Sequence, residues 1–232
     1  MKGLFLYAFI LSSSCVWGQN MQIYPSINGL KEFDIPIVSS REWSVFNYNI
    51  LENYSIDDNG NVTIYPGHRP QTHRYETNDG VLIGTNRGEW GGELTFKNDA
   101  IEYLILLANV CGIVNYNNEI FVITGLSHMR IFNGKIYKIE NINGRWESTN
   151  SIEFNNSPEA YTIFENILYI VTFDGLIVFD GDGIQQLLTE QFWESLYPNS
   201  IFVNERIVAI GLRGCIVIIN RENYKVRSYY KE

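Results

Sequence analysis

The chain has 232 residues, with 17 Lys and Arg against 26 Asp and Glu and a formal net charge of −9. That length suits one domain with a sizeable core. No basic run occurs anywhere in it, so the acidic balance excludes nucleic acid as a partner, because phosphate binding needs clustered Lys and Arg.

The N-terminus reads as a secretory signal peptide over residues 1–18. Lys2 precedes an apolar run at 4–11, and Val16 and Gly18 supply the small residues before a cleavage point after Gly18. Cys15, preceded by Ser13 and Ser14, offers a lipoprotein anchor as the alternative, although Ser12 stands where Leu is usual. The apolar run is shorter than the roughly 20 residues a membrane helix needs. The later apolar stretch 101–110 is also short and carries Glu102 and Asn109. No transmembrane segment is therefore expected, and the chain is placed as secreted or periplasmic. Loss of Lys2 with the leader leaves 16 basic residues against 26 acidic ones.

Residues 19–69 form an N-terminal extension with a partial repeat. Its clearest element is a hairpin, strands 54–56 and 61–65 around the turn Asp58-Asn59-Gly60. A further strand is predicted over 43–48. The oxygen-rich turn 57–61 lacks EF-hand spacing, and a hairpin explains it.

From residue 70 to 232 a motif recurs four times: NDGVLIG (78–84), NEIFVIT (118–124), NILYIVT (166–172) and ERIVAIG (205–211). Asp79, Glu119, Ile167 and Arg206 align at steps of 40, 48 and 39 residues. Short strands at a period of about 40–50 residues are the pattern of β-propeller blades. The first copy predicts strands at 72–75, 81–84 and 93–97, with a turn at 86–92. The second predicts 113–116, 120–123, 136–139 and 146–154, with a turn at 125–130. The third predicts 161–164, 168–172, 176–179 and 184–188, punctuated by Asp174-Gly175 and Asp180-Gly181. The fourth predicts 201–203, 207–210, 215–219 and 224–230. Two stretches read as helical: 101–107, where Asp99 and Glu102 resemble a capping box, and 189–196, ended near Pro198. The expected fold class is all-β, a propeller of about five blades, with four as the alternative and an irregular N-terminal blade.

The phrases LYIVTFDGLIVFDG (168–181) and IFNGKIYKI (131–139) resemble the repeats of bacterial sensor-type and quinoprotein-like β-propellers. The resemblance covers residues 70–232 at the level of fold. The Trp-Asp dipeptide, the kelch double glycine and a quinone-binding set are absent, so no cofactor is carried over. Propellers of this kind include hydrolases, lyases, lectins and scaffolds, and fold does not choose among them.

In such a fold the turns between second and third strands share a face with the inter-blade crossings. That face would gather Arg87, Glu89, Trp90, His128, Arg130, Asp174 and Arg213, with His68 and Arg69 from the crossing before the first clear repeat. Trp90 sits on a glycine-rich loop beside an acid and a base, a composition suited to a sugar platform or a protein contact; the favoured reading is that Trp90 packs over neighbouring blades, with the glycines serving a bulged turn. The expected function is non-enzymatic binding of a protein or glycan through this face. The alternative is a small carbohydrate-active enzyme with Glu89 and Asp174 as paired carboxylates about 5–10 Å apart. No nucleophile elbow, phosphate loop or zinc-spaced cysteine pair occurs. His68, His73 and Glu76 are a weak metal set, because the two histidines flank Pro70. Cys111 and Cys215 both lie in apolar runs, and a disulfide and two buried thiols are both open.

Overall fold

The computed structural model describes residues 27, 29–34, 36–44, 52–66, 72–128 and 131–231. The expected leader, with Cys15, lies outside them. The fold is all-β, built as five separate sheets. Strand β1 (Lys31–Phe33) precedes a two-stranded sheet of β2 (Glu52–Ile56) and β3 (Val62–Pro66). The first four-stranded sheet holds β4 (Thr72–Glu76), β5 (Val81–Thr85), β6 (Leu94–Lys97) and β7 (Glu102–Leu106). The second holds β8 (Val110–Tyr116), β9 (Glu119–His128), β10 (Ile131–Ile142) and β11 (Arg145–Phe154). The third holds β12 (Pro158–Phe164), β13 (Ile167–Thr172), β14 (Leu176–Phe179) and β15 (Ile184–Leu188). The fourth holds β16 (Ser200–Val203), β17 (Ile207–Gly211), β18 (Ile216–Asn220) and β19 (Val226–Tyr230), with β1 added beside β19. Every described pairing is antiparallel and, apart from β1, joins strands consecutive in sequence.

The recurring motif is the second strand of each four-stranded sheet: β5, β9, β13 and β17. Its near-continuous apolar character follows from packing on both faces. Along β13, Leu168 and Ile170 face the second sheet while Tyr169 and Val171 face the fourth. Along β17, Val208 and Ile210 face the third sheet while Ile207 and Ala209 face the β2–β3 hairpin. The core therefore lies between sheets, in four successive interfaces running from the first sheet to the hairpin. Each fully buried Ile, Val or Leu in them contributes about 1.5–3 kcal/mol. The hairpin approaches closely at Gly211, where a Cβ would stand 2.1 Å from the Tyr54 carbonyl oxygen.

The two ends of the sheets are built differently. At one end, hairpin turns satisfy themselves. The β8–β9, β10–β11 and β12–β13 turns have positive φ at both central residues: Asn117-Asn118, Asn143-Gly144 and Glu165-Asn166. That is the type I′ geometry that matches strand twist. Elsewhere at this end a side-chain oxygen caps the turn. Asn98, Asp180, Asn204 and Asn220 each accept two backbone N–H groups two and three residues on. At the opposite end the turns between second and third strands meet the crossings between sheets. Phe173 N donates to Ser157 O (2.8 Å), Gln191 N to Asp174 O (2.7 Å) and Arg213 N to Leu196 O (2.7 Å).

Four expected elements differ. Residues 102–106, within the expected helix 101–107, form strand β7. Asn98 caps the preceding turn, and Glu102 pairs across the hairpin with Lys97 (2.9 Å). Residues 41–44, which overlap the expected strand 43–48 at 43 and 44, form a helical turn; Ser40 Oγ accepts from Trp43 N (3.0 Å), and Trp43 Nε1 donates to Phe192 O (2.9 Å). Residues 45–48 lie outside the described residues. Residues 125–128 of the expected turn 125–130 are strand, because β9 and β10 stay paired out to His128 and Ile131; 129 and 130 lie outside the described residues. The helical reading of 189–196 reduces to a 3-10 turn, Glu194–Leu196.

Candidate functional site

The crossing end carries two features, a side groove and a central cavity. The loop between β5 and β6 holds a short 3-10 turn, Gly88–Trp90, bounded by Gly88 and Gly91 at φ of 59° and 78°. Both glycines supply left-handed backbone that side chains resist. Asn109, from the crossing between first and second sheets, pins this loop. Its Oδ1 accepts from Arg87 N (3.2 Å) and its Nδ2 donates to Gly88 O (2.8 Å). Trp90 is 80% exposed on this fixed support, and Leu107 beside it is 76% exposed. Both border a groove of about 690 Å³ that continues past Leu126, Tyr137 and Phe154. Trp90 is thus not packed into the neighbouring sheet.

The structure brings Glu89 and His128 together, Nε2 to Oε2 at 3.3 Å, and sets Arg87 against Glu93 at 3.6 Å. Asp174 accepts from Asn156 Nδ2, tying the β13–β14 turn to the crossing between second and third sheets. His68, Arg69 and Arg130 lie outside the described residues. Glu89 pairs with a histidine, and neither it nor Asp174 lines the central cavity. Among the described residues the carboxyl raised above its ordinary value is Glu194, pushed upward first by burial and then by Asp174. A carboxyl raised in the folded state costs stability once pH climbs through its titration range. Glu194→Gln is therefore expected to raise the thermal midpoint at neutral pH and to leave it nearly unchanged at pH 4, read by calorimetry at both.

The central cavity, about 1190 Å³, is lined from all five sheets. Asn53, Ile56 and Tyr65 come from the hairpin, Thr72 and His73 from β4, Cys111 from β8, residues 158–161 from β12, and Ser200 and Ile201 from β16. Two lining side chains arise from the same irregularity. The register of β8 skips Cys111 between Val110 and Gly112, and that of β12 skips Glu159 between Pro158 and Ala160. The two positions are 48 residues apart, the repeat step between those sheets. A bulge re-aims the extra residue, and here both extra residues face the cavity. His73 and Glu76 are three apart on one strand, so their side chains take opposite faces. Among the described residues no cluster of three His, Cys, Asp or Glu has metal-holding geometry. Cys111 is half-buried and Cys215 fully buried, and burial pushes the Cys215 thiol well up.

Sequence reasoning missed an aromatic row across the crossing end. Phe132 stacks on Phe173 with centroids 5.0 Å apart, Phe173 meets Tyr197 edge-on at 6.4 Å, and Arg213 lies over Tyr197 at 5.2 Å. Phe132 is 43% exposed and Tyr197 47%. Tyr197 ends the 3-10 turn in left-handed backbone, φ 48° and ψ 84°, which costs a bulky residue of order 1 kcal/mol or more. The repeat motif marks buried second strands, so it gave no signal for these residues.

No protein-family model matches the chain, and no curated protein matches it. Among solved structures, the chain is similar to a computationally designed protein, Ika8, at 14% identity and a TM-score of 0.43. The match covers 75% of this chain and 57% of that one. A second designed protein, Ika4, matches at 16% identity and a TM-score of 0.38, over 72% of this chain and 94% of that one. The extracellular domain of a hybrid two-component system from B. thetaiotaomicron matches at 15% identity and a TM-score of 0.29, over 78% of this chain and 31% of that one. Among the described residues no helix is long and apolar enough to cross a membrane.

Proposed function

We propose that the chain is an exported, non-enzymatic β-propeller of five units that binds a protein or glycan through its crossing face. The fifth unit is the β2–β3 hairpin. Support for a ring comes from the four successive sheet interfaces and from a cavity lined by all five sheets, including the neighbouring strands β3 and β4. The leader pattern over residues 1–18 supports export. The observation that carries the binding reading is Trp90, largely exposed on a loop whose backbone is already fixed by Asn109. An aromatic anchor that loses little freedom on binding is the economical way to build affinity.

Trp90→Ala is expected to weaken capture of the ligand found by glycan array or pull-down by about tenfold or more. Its thermal midpoint should stay within about 1–2 °C, since an exposed ring contributes little to stability. Silence of the wild-type chain in both assays, or full binding by the variant, contradicts this reading. The catalytic alternative keeps one observation, the raised carboxyl of Glu194 beside Asp174. Turnover of an oligosaccharide that Glu194→Gln abolishes would replace binding with hydrolysis.

A further inference from the structure

The central cavity and the aromatic row meet at Tyr197, which belongs to both. The chemistry of the lining is specific. Planar amides (Asn53, Asn86, Asn199) and hydroxyls (Ser157, Ser200, Tyr161) dominate its polar part. The Nδ2 of Asn199 is buried with no hydrogen-bond partner, while its Oδ1 accepts from Ser200 Oγ at 3.0 Å. A buried donor left unmatched is costly, so a small shift that opens it to the cavity would let a ligand acceptor satisfy it. The bulge on β12 delivers the Glu159 carboxylate, a hydroxyl acceptor, to the same space. The lining carries two carboxylates, Asp58 and Glu159, against one guanidinium, Arg213, and the imidazole of His73, so it does not favour an acid. Arg213 already covers the Tyr197 ring, which takes up the face a cationic ligand would use. A neutral molecule with many hydroxyls fits these groups, and one with repeating apolar faces also fits the adjoining rings of Phe173 and Phe132.

We propose that the cavity takes the neutral, hydroxyl-rich end of an oligosaccharide past Tyr197, with the following sugar units laid on Phe173 and Phe132. This rests on the crossing face being the binding face, and it names a ligand class and a site separate from the Trp90 groove. Cys111 provides a reporter, because its half-buried thiol lines the cavity while Cys215 is fully buried.

The test is calorimetric titration of the full chain with linear neutral gluco-, manno- and xylo-oligosaccharides of three to six units, and with a polyuronide oligomer. At least one neutral series should bind, and the polyuronide should not. Tyr197→Ala and Glu159→Ala should each weaken that binding about tenfold or more. Tyr197→Phe, which keeps the ring, should retain it, and Tyr224→Ala at the opposite end should match the wild type. Alkylation of Cys111, followed by mass spectrometry, should slow several-fold when the neutral oligosaccharide is present. Preference for the polyuronide, or unchanged Cys111 alkylation with unchanged affinity in Tyr197→Ala and Glu159→Ala, overturns the assignment. Neutral binding lost in Trp90→Ala but kept in those two variants would overturn the cavity site while leaving the face reading intact. A ligand captured only from a protein pull-down would do the same. Absence of any ligand in all assays would remove both.

Discussion

Trp193→Ala is expected to lower the unfolding free energy by about 3–5 kcal/mol, the range for removing a large buried aromatic. Trp193 is fully buried and is among the largest side chains in the core. It packs between third and fourth sheets with Val171, Leu176, Phe192, Leu196 and Leu212. Its Nε1 also donates to the Thr172 carbonyl (3.2 Å), at the end of β13. Truncation thus leaves a cavity and an unpaired carbonyl together. At about 2–4 °C per kcal/mol for a chain of this size, the thermal midpoint should fall by roughly 6–20 °C. Trp193→Phe keeps most of the volume and should cost less, about 1–3 kcal/mol for the orphaned carbonyl. Urea denaturation of the three proteins checks both values, and a loss below about 1 kcal/mol in the Ala variant would contradict this packing. The consequence reaches the site, because Trp193 immediately precedes the 3-10 turn that ends in Tyr197. The same indole that joins two sheets fixes the aromatic row above them.

The second large effect concerns the N-terminal segment. β1 covers the outer edge of β19, pairing Lys31 with Tyr230 and Phe33 with Ser228. Phe33 and Tyr230 meet edge-on at 5.2 Å, Glu32 lies 3.6 Å from Arg227, and Trp43 is buried with its Nε1 bound to Phe192 O in the crossing between third and fourth sheets. A chain starting at residue 45 loses the Trp43 contribution, about 3–5 kcal/mol by itself, and bares the β19 backbone. An exposed edge of that kind recruits other strands. The truncated chain should therefore show a lower thermal midpoint and concentration-dependent association by light scattering. Trp43→Ala should show the first effect without the second, because β1 stays in place. A truncated chain that remains monomeric with an unchanged midpoint would show that β1 and Trp43 carry no such role.

What the sequence revealed follows from where the apolar residues fall. Strands β13 to β15 and β17 were legible almost to the residue, because Leu168, Ile170, Ile177 and Val208 report burial and Asp-Gly or Asn turns bound them. The stretch 101–107 misled because Asp99 and Glu102 have the spacing of a capping box. Only the cross-strand partner Lys97 and the Asn98 cap decide for a strand, and neither is visible as a periodicity. The β1 strand is three residues long, and its pairing spans nearly the whole chain, so nothing local announces it. At the site, the Trp90 turn was readable from its glycines, but its anchoring by Asn109 was not, because that contact crosses between sheets. The bulges at Cys111 and Glu159 were not, because a bulge is a property of pairing. The Phe132, Phe173 and Tyr197 row comes from the start of β10, the β13–β14 turn and the crossing before β16, brought together by tertiary packing, and no one of these residues announces it alone.

The central claim is that one end of these sheets binds and the other only closes hairpins. Hydrogen exchange of the backbone with and without the captured ligand tests it most directly. Ligand-dependent protection is expected in residues 86–93, 173–175, 189–199 and 212–215, with no change in the self-capped turns 98–101, 180–183, 204–206 and 220–225. Protection confined to those self-capped turns would contradict it.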